Sequence, residues 1–175
     1  NSADLLTERG LANYNRISAR EAVQGKAAVH LIAEVLKPRK VYLMSAPSAY
    51  GPSWTTALIN ALSSTPVALV GNEIEISDEP SVYYAGFSNH VGPFAKELRQ
   101  AGFTGPLIGP SGLDNNGFII LAGQGARNTY FTSSLPGVEV WPSSAAMRSS
   151  YKTRFGQDAS QFAVLGYDAM NVVLS

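Results

Sequence analysis

Three patterns follow one another in Lys40–Leu62, KVYLMSAPSAYGPSWTTALINAL. Val41–Met44 is a short apolar run between basic residues and a Pro/Ser loop, which predicts a buried strand of a parallel sheet. Ser53 is the expected N-cap of a helix whose apolar residues recur at steps of three and four. Tyr50 is therefore expected in the loop beyond the carboxyl end of a strand, where ligands bind in open α/β sheets. A half-exposed packing residue is the simpler interpretation of a loop tyrosine, so a binding role needs further support.

The chain up to Ser133 continues to alternate between strand and helix patterns. Further strands are predicted at residues 66–76, 82–87, 107–109 and 128–133, and a weaker pattern indicates one at 14–19. Helices are predicted at residues 21–36, 93–100 and 115–122. This alternation predicts that residues 20–133 form a three-layer α/β unit around a parallel sheet.

The pattern changes beyond Ser134. The segment LPGVEVWPSS contains two prolines and is typical of a connector, after which helices are predicted at Ala145–Phe155 and Phe162–Leu174 with no strand between them. The chain is therefore divided into residues 1–134 and residues 135–175. The apolar side chains of the last helix are expected to be buried against another surface, and a partner chain is the expected one.

Composition excludes several classes of function. The chain has 175 residues, 45% of them hydrophobic, which is enough for a globular core. Thirteen basic and thirteen acidic residues balance, so neither nucleic acid nor an anionic membrane is an expected partner. The absence of cysteine excludes disulfides, thiolate metal sites and a thiol nucleophile, and no other metal-binding pattern is present. The sequence contains neither a membrane-spanning run nor the layout of a signal peptide, so an exported protein would have lost its signal.

Seven motifs resemble those of a known family and occur in the same order as in that family. They are LTERG, ARxxxQGKAA, SAYG, VYYAGF, LIGPSGLD, YFTS, and YKTRFGQDAS followed by FAVLGYDAMNV. Together they resemble the branched-chain amino-acid-binding proteins, which are type I periplasmic solute-binding proteins of ABC importers. The match covers nearly the whole chain.

The resemblance implies a flavodoxin-like parallel sheet that forms one lobe of a two-lobed binding protein. Residues 1–134 resemble the second lobe, and residues 135–175 resemble part of the first. In this family the lobes close over a small solute without catalysis or a cofactor, and a membrane permease takes up the solute. The implied location is the periplasm or another extracytoplasmic space.

The resemblance also implies site residues. Tyr50 matches a tyrosine that lines the cleft, Phe87 matches a second cleft aromatic that is commonly tyrosine, and Phe162 matches an aromatic near the side-chain pocket. Ser111 departs from the family, which usually has Asp or Glu there to pair with the ligand's ammonium group. The expected solute is a small amino acid or a related carboxylate or amide. Losing that pairing weakens an amino acid by about one to two orders of magnitude, which favours the carboxylate or amide. Asp114 is a candidate replacement for the charge, although an N-cap is its simpler interpretation.

A second departure is a short connection between two predicted strands. About seven residues, near 75–81, separate them, whereas a parallel crossover normally takes a helix and a dozen or more residues. Either a segment has been deleted or further residues belong between them. Half a cleft of this kind is expected to bind its solute at millimolar concentration or not at all.

Two other classes of function compete with solute binding. An enzyme could use Ser111 as nucleophile with His90 and Asp114, but IGPSGL lacks the Gly-x-Ser-x-Gly turn that exposes such a serine. A self-associating interaction module that binds no solute is the stronger alternative. Exposed apolar surface where the first lobe should pack would favour that module.

Overall fold

The structure is a computed structural model, which describes residues 3–48, 50–71 and 80–175. The β-strands within these ranges are β1 (Lys40–Ser45), β2 (Ala68–Val70), β3 (Ser81–Ala85), β4 (Leu107–Gly109) and β5 (Thr129–Phe131). The α-helices within them are α1 (Leu5–Glu8), α2 (Glu21–His30), α3 (Tyr50–Leu62), α4 (Ser88–Gln100), α5 (Asn116–Ala122), α6 (Ala145–Phe155) and α7 (Gln161–Leu174). A π-helical segment, Leu31–Leu36, extends α2 to the end of the predicted helix, where Lys37 adopts a left-handed conformation before Pro38.

The five strands form one parallel sheet in the order β2-β1-β3-β4-β5. Strand β1 pairs with β2 on one side and β3 on the other, while β4 joins β3 to β5. This is the strand order of flavodoxin-like folds, in which the chain turns to opposite sides of β1. The predicted α/β fold with a parallel sheet is therefore confirmed.

The core lies on both faces of this sheet, because successive strand residues point in opposite directions. In β1, Val41 faces α2 and α3, whereas Tyr42 faces α4 and α5. In β4, Ile108 faces α2 and α3, and Leu107 faces α4 and α5. All four side chains are buried, and so is Trp54 of α3. Helices thus cover the sheet on both sides, as the alternating sequence pattern predicts.

The chain divides into two compact units. One unit is Arg20–Ser133, which contains the sheet, and the other consists of the described residues up to Ala19 together with Ser134–Ser175. Helices α6 and α7 of the second unit lie where the sequence predicts them, apart from a start of α7 one residue earlier. The identity of residues 1–134 and 135–175 as parts of two lobes stays a prediction.

Two sequence-based assignments outside the candidate site differ from the structure. Residues 14–19 form no strand. At the ends of this segment the Tyr14 amide donates to the Leu11 carbonyl within a turn, and the Ala19 amide donates to the Ser134 carbonyl. Helix α4 begins at Ser88, five residues earlier than predicted, with Pro93 inside it. The short crossover predicted near 75–81, and the end of the strand predicted at 66–76, fall on residues outside those that the structure describes.

No helix in the described ranges is both long enough and apolar enough to cross a membrane.

Candidate ligand-binding site

The carboxyl ends of β1, β3 and β4 bring three of the predicted site residues together. Tyr50 begins α3 after β1, Phe87 follows β3, and Ser111 follows β4. The chain turns to opposite sides of the sheet after β1 and β3, and the crevice at such a switch point is where ligands bind in open α/β folds. Their predicted placement beyond strand ends is therefore observed, but Tyr50 is the first residue of α3 and not a loop residue as predicted. Contact of the three residues with a ligand remains a prediction.

An aromatic pair forms the centre of this site. The rings of Tyr50 and Phe87 are stacked with centroids 4.1 Å apart and an interplanar angle of 18°. Trp54, one helical turn beyond Tyr50, meets the tyrosine ring edge-on at 6.1 Å. Phe87 remains 45% exposed, so one apolar face is available beside the crevice. Such a surface suits a ligand with an apolar body.

The Tyr50 hydroxyl supplies the polar part of the site. It lies 3.5 Å from the Ser111 Oγ, and either oxygen can be the donor. Burial raises the pKa of the Tyr50 phenol, hydrogen bonds with Ser111 and the Gly112 backbone lower it, and the negative charge of Glu21 raises it again. The net shift is upward, so the phenol is protonated at neutral pH and can both donate and accept a hydrogen bond.

Two glycines allow the site's loops to approach one another. A β-carbon at Gly112 would lie 2.7 Å from the Gly86 carbonyl oxygen and 3.0 Å from the Phe87 ring. A β-carbon at Gly51 would lie 2.6 Å from the Ala46 carbonyl oxygen. Any larger residue at these positions would displace the loop that carries Phe87 or the first turn that carries Tyr50.

Ser88 and Asn115 fix the loop around Ser111, and no sequence pattern predicts either role. The buried Ser88 hydroxyl lies 3.0 Å from both the Gly112 carbonyl oxygen and the Asn115 Oδ1. The Asn115 side-chain amide also donates to the Gly112 carbonyl, at 3.0 Å. These bonds hold the turn after β4 against the start of α4. They depend on loops from distant parts of the chain, so spacing alone could not reveal them.

Two predicted helix caps are wrong. Ser53 is the fourth residue of α3, because the helix begins at Tyr50, and its hydroxyl donates to the Glu21 carboxylate. Asp114 is not the cap of α5, since the extended residue before that helix is Asn115. The Asp114 carboxylate instead accepts a hydrogen bond from the Ser133 hydroxyl at 2.5 Å. Its role in ligand binding stays a prediction.

Phe162 lies near the start of α7 in the other compact unit, with 56% of its surface exposed. Its predicted part in the ligand pocket stays a prediction. Among the described residues, no group of three or more His, Cys, Asp or Glu side chains is placed to hold a metal ion.

Comparison with known proteins relates the chain to a family of binding proteins. No model of a known protein family matches it. It is 27% identical over 145 residues to "Leu/Ile/Val-binding protein homolog 3" of Brucella melitensis biotype 1, a match that covers 74% of this chain and 39% of the relative. It is 23% identical to the "Leucine-, isoleucine-, valine-, threonine-, and alanine-binding protein" of Pseudomonas aeruginosa, covering 98% of this chain and 50% of the relative. The chain thus spans half or less of the length of these relatives.

Solved structures share the fold. A leucine-binding protein, LivK, from Thermotoga maritima superposes with a TM-score of 0.80 at 20% identity, covering 98% of this chain and 54% of that one. A second structure is the branched-chain amino acid transporter substrate-binding protein LivJ from Streptococcus pneumoniae, in complex with isoleucine. It superposes with a TM-score of 0.70 at 22% identity, covering 89% of this chain and 49% of that one. The chain is therefore similar in sequence to proteins named for binding branched-chain amino acids, and it has a flavodoxin-like sheet of the type I periplasmic binding protein fold.

Proposed function

We propose that the protein is a solute-binding component of an ABC-type importer, which captures a small solute without catalysis and delivers it to a membrane permease in the periplasm or another extracytoplasmic space. The observation that carries this proposal is the stacked pair of Tyr50 and Phe87 beside the Ser111 hydroxyl, at the switch point of the sheet. The names of the relatives, which bind leucine, isoleucine and valine, support the same function.

The ligand we propose is a small carboxylate or amide. Tyr50 and Ser111 offer neutral hydroxyl groups, and Phe87 offers an apolar face. The branched-chain family usually has a carboxylate at the position of Ser111, where it pairs with the ligand's ammonium group. A hydroxyl cannot neutralise that ammonium, so an α-amino acid loses part of its binding energy here.

The proposed cleft is completed by a second lobe. Residues 1–134 would form most of one lobe, and residues 135–175 would form part of the other. Phe162 of that other lobe would contribute to the pocket for the ligand's side chain. The ligand's carboxylate would also bind to that other lobe. Asp114 is the candidate replacement for the carboxylate that Ser111 lacks. The chain spans about half the length of its relatives, so in the 175-residue form we expect one wall of the cleft only, and hence millimolar binding or none.

Calorimetric titration tests this proposal with two ligands that differ only in the amino group. Leucine and 4-methylpentanoate are titrated into the 175-residue chain and into a form extended to the length of its relatives, here called the full-length protein. The full-length protein is expected to bind 4-methylpentanoate more tightly than leucine, because only leucine carries an ammonium that Ser111 leaves unpaired. Micromolar binding of leucine that a Ser111→Ala substitution leaves unchanged would contradict the proposed ligand class.

A self-associating interaction module is the second candidate, and α7 favours it. This helix has one charged residue, Asp168, among fourteen. Its side chains from Val172 to Leu174 are between 61% and 79% exposed, and Tyr167 and Met170 are more than half exposed. A helix that is apolar on all sides is normally buried, so a second copy of the chain is the proposed cover.

Sedimentation velocity at micromolar concentration distinguishes the two candidates. We expect the 175-residue chain to form dimers that a Val173→Asp substitution dissociates, because it places a charge on the exposed apolar helix. Ile120→Asp on α5 is the matched control, since both side chains are 79% exposed, and it should leave the dimers intact. A compact monomer that binds no apolar dye would exclude the module.

A further inference from the structure

A buried carboxylate lies behind the candidate ligand site. Glu21 is the first residue of α2 and is only 3% exposed. A glutamate is rarely buried to this extent unless its carboxylate is paired with another group. Its Oε2 accepts a hydrogen bond from the hydroxyl of Ser53, which is 32 positions away in the sequence. The bond connects the start of α2 to the first turn of α3.

That first turn also carries Tyr50. Helix α3 begins at Tyr50, and Ser53 lies three residues later, about one helical turn along the same side. A shift of the turn would therefore move the tyrosine relative to its two partners, the Ser111 hydroxyl at 3.5 Å and the stacked ring of Phe87 at 4.1 Å. These partners belong to the loops after β4 and β3, so they do not move with α3.

We propose that Glu21 is a positioning residue for the ligand site: through Ser53 it fixes the first turn of α3, so that the Tyr50 ring stacks on Phe87 and its hydroxyl faces Ser111. The inference rests on the proposed function only in taking Tyr50 as a residue that contacts the ligand.

The charge of Glu21 has a second effect on the site. Burial is the main cause of the raised pKa of both Tyr50 and Tyr83, and the negative charge of Glu21 raises the pKa of each phenol further. Tyr83 is fully buried, and its hydroxyl has no hydrogen-bond partner among the described residues. The Tyr50 phenol is protonated at neutral pH with or without this charge, because the ordinary pKa of tyrosine is about 10. The charge of Glu21 and its contact with Ser53 are thus separate effects, which substitutions can distinguish.

Nuclear magnetic resonance of the ligand-free chain tests both effects. The stacked tyrosine displaces the Phe87 ring protons upfield, and the chemical shift of the Tyr50 Cζ reports the pKa of its phenol. In Ser53→Ala, which removes the donor to Glu21, we expect the upfield displacement of Phe87 to be lost. In Glu21→Gln, which retains an acceptor for Ser53 but not the charge, we expect the displacement to persist and the pKa of Tyr50 to fall.

Thr56→Ala is the matched control, because Thr56 is an exposed residue of the same helix whose hydroxyl donates only to the Pro52 carbonyl. It should change neither signal. Ser53→Thr retains a hydroxyl and should restore the displacement, which separates loss of this bond from general loss of stability. An unchanged Phe87 signal in Ser53→Ala would overturn the positioning role, and an unchanged pKa in Glu21→Gln would overturn the electrostatic one. Neither measurement uses a ligand, so a failed leucine or 4-methylpentanoate titration leaves this test intact.

Discussion

Replacing Arg99 by Met is expected to lower the free energy of unfolding by about 2–4 kcal/mol, measured by urea denaturation followed by circular dichroism. Arg99 Nη1 donates to the carbonyl oxygens of Phe103 at 2.9 Å and Gly105 at 2.7 Å. Its Nη2 donates to those of Arg127 at 2.8 Å and Asn128 at 3.2 Å. The guanidinium thus joins the loop after α4 to the segment that enters β5, and Met replaces the apolar stem of this side chain without its donors.

The expected loss is smaller than the sum of four charged hydrogen bonds, because Arg99 is partly exposed and water can replace some of them. Arg127→Met is the matched control, since its side chain is exposed and the change should stay within about 0.5 kcal/mol. Arg99→Lys retains the charge but not the planar fork, so it should recover only part of the loss. If Arg99→Met is as stable as Arg127→Met, the guanidinium does not hold these segments together.

The sheet was predictable because strands buried on both faces appear in the sequence as short apolar runs. Val41–Met44 lies within β1, and β4 occupies the predicted residues 107–109. The start of α3 was not predictable in the same way. Ser53 has a side chain that N-caps favour, but the helix begins at Tyr50, because Gly51 can pack directly against the Ala46 carbonyl at the end of β1. That close approach is a tertiary contact, which local preference does not show.

The candidate site was predictable only in outline. Parallel strands end at the same edge of a sheet, so Tyr50, Phe87 and Ser111 could be placed together without a structure. The stacking of the two rings and the bond between Ser53 and Glu21 could not, because each joins residues more than 30 positions apart through the packing of separate elements.

Replacing Ser111 by Asp in the full-length protein is expected to shift its preference from 4-methylpentanoate toward leucine by about 10- to 100-fold, measured as the ratio of the two dissociation constants. Ser111 is half-buried beside the Tyr50 hydroxyl, so a carboxylate there would be partly shielded from water. A charge-assisted hydrogen bond to the leucine ammonium contributes about 1.5–3 kcal/mol, and about 1.4 kcal/mol corresponds to a factor of ten. The new charge should also raise the pKa of Tyr50 further, since it disfavours the phenolate.

Ser111→Asn is the control for this substitution, because Asn has the shape of Asp without its charge and should leave the preference for 4-methylpentanoate unchanged. The comparison separates charge from the crowding that either longer side chain introduces next to Tyr50 and Phe87. Equal ratios in the Asp and Asn variants would show that the ligand's amino group does not approach Ser111. The selectivity proposed for this site would then arise from the apolar contacts of the aromatic pair. In that case Phe87→Ala would alter the selectivity, and a change of charge at Ser111 would not.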